Sequence, residues 1–231
     1  MTKREQEVLI DPAVIPEFVA DLTIETIRSR FLNAARSIML EHKLVRADYC
    51  WDITALELYL YRSGIWEDET THGFRFRMRK QLESGTWYIH KDGKLPPMRL
   101  GIDITAGSHV PEIHVGFLIA AIGETDGSGR AVKTILRGRP DSSDWDYSER
   151  EKKLLVEEIH SRSIRSGPPN LRLIRRSAPK EGRLWIGPRK FGNKKQRDKI
   201  KEPFRSCCLR IATFPTTNPP KKLLDEVRSD Q

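Results

Sequence analysis

The chain is poor in cysteine, with Cys50, Cys207 and Cys208 the only three in 231 residues. That excludes a disulfide framework, so the fold must rest on an apolar core. Cys207 and Cys208 are adjacent; on a strand they point to opposite faces and cannot clip a metal as a Cys-x-x-Cys pair does. All three are expected to be buried free thiols in a reducing compartment. Long hydrophobic runs are also missing. The longest, residues 115–122, is far too short to span a bilayer. The opening residues, Met1-Thr2-Lys3-Arg4-Glu5-Gln6-Glu7, are charged and lack the apolar centre of a signal peptide. The expectation is an intracellular, soluble protein of nucleus or cytoplasm, with no membrane partner. No internal repeat is present. His109, Glu112 and His114 fit no common zinc spacing, so metal is at most a minor reading there.

Charge is what the chain has in plenty. Hydrophobic residues make up 38% and charged residues 32%, which suits a folded globule with a heavily charged surface. Lys and Arg number 41 against 32 Asp and Glu, a formal charge of +9. An excess of this sign favours a polyanionic partner, and nucleic acid is the commonest. The length fits one domain. Residues 1–15 are expected to be a flexible N-terminus, 16–214 the domain, and 215–231 a flexible tail containing Pro215, Pro219 and Pro220. With no oligomer signal, a monomer is the default.

Hydrophobic spacing predicts the elements. Ile24, Ile27, Phe31, Ala35 and Ile38 recur at helical intervals, predicting a helix over 23–42. Residues 51–61 lack Pro and Gly and are rich in aromatic and branched side chains, as in a strand buried on both faces. Alternation puts Ile53, Ala55, Glu57, Tyr59 and Tyr61 on one face and Leu56, Leu58 and Leu60 on the other. A carboxylate therefore stands beside an aromatic ring on an otherwise apolar strand. Further strands are predicted over 85–90, 100–105, 113–122, 132–136 and 204–212. Ser148 and Glu151 have capping-box spacing, predicting a helix over 149–162. The series describes an α+β domain: a curved antiparallel β-sheet with flanking helices.

Two basic segments are candidate nucleic-acid contacts. Arg75, Arg77 and Arg79 alternate with Phe74, Phe76 and Met78, and if extended they form a basic stripe backed by apolar side chains. The loop from Arg189 to Lys201 carries Lys194, Lys195 and Arg197, which could equally be a solvated face.

Several segments, in order, resemble the alkyladenine (3-methyladenine) DNA glycosylase family. Ile53-Thr54-Ala55-Leu56-Glu57-Leu58-Tyr59-Leu60 resembles its strand with Glu-Ala-Tyr-Leu, and Thr71-His72 its Ala-His. Gly85-Thr86-Trp87-Tyr88-Ile89-His90 is similar to its Gly-Thr-Leu-Tyr-Val-Tyr. Gly101-Ile102-Asp103-Ile104 falls where the family has a strand with Asn, and residues 117–122 where it has Leu-Leu-Arg-Ala. Gly167-Pro168-Pro169-Asn170-Leu171, Pro188-Arg189-Lys190-Phe191-Gly192 and Pro203-Phe204-Arg205 resemble its Gly-Pro-x-x-Leu, Pro-Arg-Val-Gly-Ile and Pro-Trp-Arg-Phe. The likeness runs from about Phe31 to Cys208 and is remote.

The resemblance implies that fold, double-stranded DNA as partner, and base-excision repair without a cofactor. A damaged or modified purine would be flipped out, and Glu57 would activate the water that cleaves its N-glycosidic bond. Tyr59, His72, His90 and Asp103 would line the base pocket, ring faces favouring a cationic alkyl-purine. The chain also departs from the pattern. His90 replaces a stacking Tyr, and Gly93 stands at the family's wedge Tyr, leaving Leu95 or Met98 for that task. Asp103 and Ala120 replace an Asn and an Arg. Two other readings follow from those departures. One is a catalytically inactive nucleic-acid-binding domain on the same fold; the other is an enzyme cleaving a different N-glycosidic bond.

Overall fold

The computed structural model of the chain describes residues 10, 14–15, 23–68, 70–71, 75, 79–92, 99–137, 170–189 and 209–213. Thr23 opens the first helix, α1 (Ile24–Arg36), its Oγ1 accepting the Thr26 N–H at 3.2 Å. Glu25 in the first turn and Arg36 in the last both complement the helix dipole. The expected helix over 23–42 is thus found, its end (Ser37–Glu41) widened into a π-helix.

The strands, in chain order, are β1 (His42–Arg46), β2 (Tyr49–Trp51), β3 (Ile53–Arg62), β4 (Trp66–Glu67), β5 (Ser84–Asp92), β6 (Arg99–Ala106), β7 (His114–Ile122), β8 (Thr125–Asp126), β9 (Arg172–Arg175), β10 (Trp185–Pro188) and β11 (Leu209–Ala212). A small sheet has the order β2-β1-β9, and a large one β10-β11-β3-β7-β6-β5, with β4 on β3 and β8 on β7. All described pairs are antiparallel. With α1 and a second helix, α2 (Ser128–Arg137), the described chain is α+β, mostly antiparallel sheet, consistent with a single domain.

One face of the large sheet is apolar. Leu56, Leu58 and Leu60 of β3 share a cluster with Val115, Phe117 and Ile119 of β7, Ile102 and Ile104 of β6, and Ile211 of β11. Ile27, Phe31, Ala35, Ile38 and Met39 close it from the first helix, with the Phe31 and Phe117 rings 5.5 Å apart. Each such side chain contributes about 1.5–3 kcal/mol by leaving water. As expected, β3 is buried on both faces; from Ile53 to Tyr61 only Tyr59 is half-buried. β7 is buried along all nine residues.

Four expectations are corrected. The strand expected over 132–136 is helix α2. Its branched residues suggested a strand, but Ala131, Val132, Ile135 and Leu136 are buried at helical spacing, and burying that face outweighs propensity. Ile53 joins the main apolar cluster, whereas Ala55 packs with Ala120, Ala121 and Ala212. The β3–β7 register shifts on either side of Ala55, which breaks the simple alternation there. Cys50 is exposed, because β2 is an edge strand of the small sheet. Finally, Ile10, Val14 and Ile15, within the segment expected to be flexible, are buried in the core. The Ile10 N–H bonds the Gly85 carbonyl at 2.7 Å, and a Cβ on Gly85 (φ +72°) would stand 2.9 Å from the Ile10 oxygen.

The expected helix over 149–162, the 215–231 tail, Cys207 and Cys208 lie outside the described residues, as does residues 204–208 of the last expected strand. Among the described residues no helix is long and apolar enough to cross a membrane.

Candidate functional site

The opposite face of the large sheet is polar, and strand register assembles it. Arg210 of β11 pairs with Glu57 of β3, Glu57 with Leu118 of β7, Leu118 with Asp103 of β6, and Asp103 with Tyr88 of β5. Residues directly opposite one another in a sheet share a face, so these five form one row. The next row holds Tyr59, Gly116 and Thr105. Three charged groups from distant parts of the sequence thus stand side by side.

Glu57 is 4% exposed, and both its oxygens are engaged. Arg210 Nη1 donates to Oε1 at 3.0 Å, and the Tyr59 hydroxyl donates to Oε2 at 3.3 Å. Each carboxylate oxygen can accept two hydrogen bonds, so Glu57 keeps capacity for a further donor. Burial pushes the Tyr59 phenol well above its ordinary range. The Arg189 charge opposes that shift, and the Glu57 charge adds to it, so Tyr59 stays protonated and donates. Arg210 reaches beyond Glu57: its Nη2 donates to Asp126 Oδ1 on β8 at 2.6 Å. Its Nε–H is buried and has no hydrogen-bond partner among the described residues.

A second arginine completes the surroundings of Tyr59. Arg189, just after β10, lays its guanidinium over the Tyr59 ring, 3.8 Å from the centroid. Nη1 donates to the Leu58 carbonyl at 2.6 Å and Asp68 Oδ2 at 2.8 Å, and Nη2 to Thr70 Oγ1 at 2.8 Å. One face of the Tyr59 ring is therefore taken. On the next strands Asp103, 1% exposed, accepts a hydrogen bond from Gln81 Nε2. Gly116 makes room for that pair: a Cβ there would lie 2.5 Å from Gln81 Nε2 and 2.6 Å from Asp103 Oδ2. Among the described residues Glu57 and Asp126 share the Arg210 guanidinium, and Asp68 pairs with Arg189.

The structure brings Glu57, Tyr59 and Asp103 to one face. His90 lies on β5 opposite Gly101, and His72 is outside the described residues. Tyr88, 1% exposed, is buried on that same face, opposite Asp103. Arg75 is exposed, but its N–H makes a helical bond to the Thr71 carbonyl at 3.0 Å, and Arg79 opens a 3-10 helix (Arg79–Leu82). The extended stripe is therefore not formed at these two positions, because local hydrogen bonding winds the segment. Arg77, Lys194, Lys195 and Arg197 lie outside the described residues.

His114 Nε2 lies 3.0 Å from Glu112 Oε1. Burial holds the His114 imidazole below its ordinary range despite that carboxylate. Among the described residues no group of three potential ligands is placed to hold a metal.

Arg189, Arg210, Asp68, Asp126 and Gln81 were not legible as site residues. For Arg189 the Pro188-Arg189 segment was the available signal. For Arg210 it was a single charge in an apolar strand, matching the single carboxylate of β3. No family model, curated protein or solved structure matches this chain.

Proposed function

We propose that this chain is a DNA glycosylase-like hydrolase that cleaves the N-glycosidic bond of a flipped purine, with Glu57 as its base. The observation that carries the reading is Glu57 itself. It is a buried carboxylate held by Arg210 and Tyr59 on one face of the large sheet. Flipping the nucleotide costs a few kcal/mol of unstacking. Glu57 then accepts a proton from the water that attacks the sugar carbon, and the bond to the base breaks. Positive charge builds on the sugar as the base leaves, and the Glu57 carboxylate stabilises it. No step calls on a metal or organic cofactor. The formal charge of +9 supports a duplex partner.

The resemblance to alkyladenine DNA glycosylases supports the same reading, with one change in detail. Arg189 already lies on one face of Tyr59, so any base stacked on that ring uses the other. Base release from alkylated and from deaminated duplex DNA, by wild type and Glu57→Gln, tests the proposal.

A specific observation favours a second reading, a nucleic-acid-binding domain without turnover. Both Glu57 oxygens already accept hydrogen bonds within the protein. On that reading Glu57→Gln leaves every function intact, and DNA affinity still falls steeply with salt.

A further inference from the structure

The small sheet turns one face to the core. Leu44 lies opposite both Trp51 and Leu173; Leu44 and Trp51 are buried in the main cluster, and Leu173 packs against it. Alternation therefore puts Lys43, Val45, Cys50, Arg172 and Ile174 on the outer face. Cys50, Val45 and Arg172 form one row across the three strands, and Lys43 faces Ile174 in the next. Cys50, Arg172 and Ile174 are exposed, Ile174 by 42%, and Lys43 and Val45 are half-buried. None of the five is a carboxylate.

The cations of this region fall into two groups. Arg176 and Lys180, which follow β9, both donate to the Asp52 carboxylate. Lys43 and Arg172 have no hydrogen-bond or ion-pair partner among the described residues. They are diagonal neighbours across β1 and β9, about 7–8 Å apart, where like charges repel unless an anion sits between them. Charge on an edge strand discourages pairing with other chains, which accounts for Arg172 on β9. It does not account for Lys43, because β1 is the central strand. The face is also a checkerboard. Cation alternates with branched apolar side chain along β1 (Lys43, Val45), along β9 (Arg172, Ile174) and across the pair (Lys43 with Ile174, Val45 with Arg172).

We infer that the outer face of the small sheet is a contact surface for the sugar–phosphate backbone of nucleic acid. Lys43 and Arg172 each take a phosphate, and Val45 and Ile174 pack on the sugars between. A backbone that alternates anion and sugar matches a face that alternates cation and apolar side chain, and the formal charge of +9 selects the same class of partner. Such a contact positions the polymer without reading its sequence. The inference rests on nucleic acid as partner, which both readings above share, and not on Glu57.

The experiment has two parts. Affinity for an undamaged DNA duplex is measured over a range of salt for wild type, the double variant Lys43→Gln/Arg172→Gln, and Arg175→Gln. Alkylation of Cys50 by iodoacetamide is followed in wild type with and without saturating duplex, the modified residue being located by peptide mass mapping. The double variant should show a salt slope shallower by about 1.8, about 0.9 for each lost phosphate contact. Arg175 is exposed on the same strand but alternates to the opposite face, so its variant should keep the wild-type slope. Duplex should slow Cys50 alkylation severalfold, since Cys50 shares a row with Arg172. An unchanged slope in the double variant, an equal flattening by Arg175→Gln, or alkylation indifferent to duplex would each overturn the inference. Loss of poly-glutamate binding in the double variant, with its DNA slope unchanged, would assign the face to an acidic protein instead. If the double variant does not fold, the wild-type alkylation decides alone. Base release by wild type alongside any of these failures leaves the glycosylase reading standing. No release, with the expected slopes and protection, overturns that reading and leaves this one.

Discussion

Gly116 on β7 and Asp103 on β6 are so close that a methyl group on Gly116 would stand 2.6 Å from Asp103 Oδ2. The same methyl would lie 2.5 Å from Gln81 Nε2, in the middle of a buried amide–carboxylate pair. Gly116→Ala should therefore destabilise the protein by about 1–3 kcal/mol, as overpacking of a filled core does. Urea unfolding of the two proteins measures it. A variant as stable as wild type would show that Gln81 and Asp103 separate freely, contrary to the packing seen.

Arg189 and Asp68 form an ion pair whose side chains are 1% and 7% exposed. Arg189→Met keeps much of the apolar stem but strands the Asp68 carboxylate. The expected loss is about 3–5 kcal/mol, most of it from the uncompensated buried charge. Restoring neutrality with Asp68→Asn in the same chain should recover part of that loss. A double variant no more stable than Arg189→Met would contradict the account.

Asp52, between β2 and β3, accepts hydrogen bonds from Arg176 and Lys180, and so ties the start of the central strand to the segment after β9. Burial pushes its carboxyl up, but the hydrogen bonds from Lys180 and Arg176 and their charges outweigh that, and the net value lies below the ordinary range. The ionised form therefore favours the folded state. Its contribution is present above the unfolded value, near pH 4, and is lost as pH falls through the lower folded value. Asp52→Asn should lower stability at pH 7 and flatten its fall below about pH 4. The effect is modest, because the carboxyl is partly exposed and screened. Acid-unfolding curves of the two proteins that fall in parallel would refute it.

The elements legible in the sequence are those where one physical signal dominates. The first helix was legible from Ile27, Phe31, Ala35 and Ile38, and β3 from a run free of Pro and Gly; burial confirms both. The second helix was not, because Val132 and Ile135 have branched side chains that also suit a strand, and only packing against the sheet decides. The site was legible in part. Glu57 stood out as the single carboxylate of an apolar strand, and alternation put Tyr59 beside it. Arg210 lies 153 residues further along the chain, and its pairing with Glu57 is fixed by strand order, a non-local property that periodicity does not carry. Asp68 and Asp126 sit at or next to short strands of two residues each, too brief for any pattern to show.

The measurement that tests the central claim most directly is base release from damaged duplex DNA by wild type and Glu57→Gln side by side, with DNA affinity measured for both. The account predicts release by wild type, none by Glu57→Gln, and similar salt-sensitive binding by the two. Equal release by both, or none by either with binding intact, would contradict it.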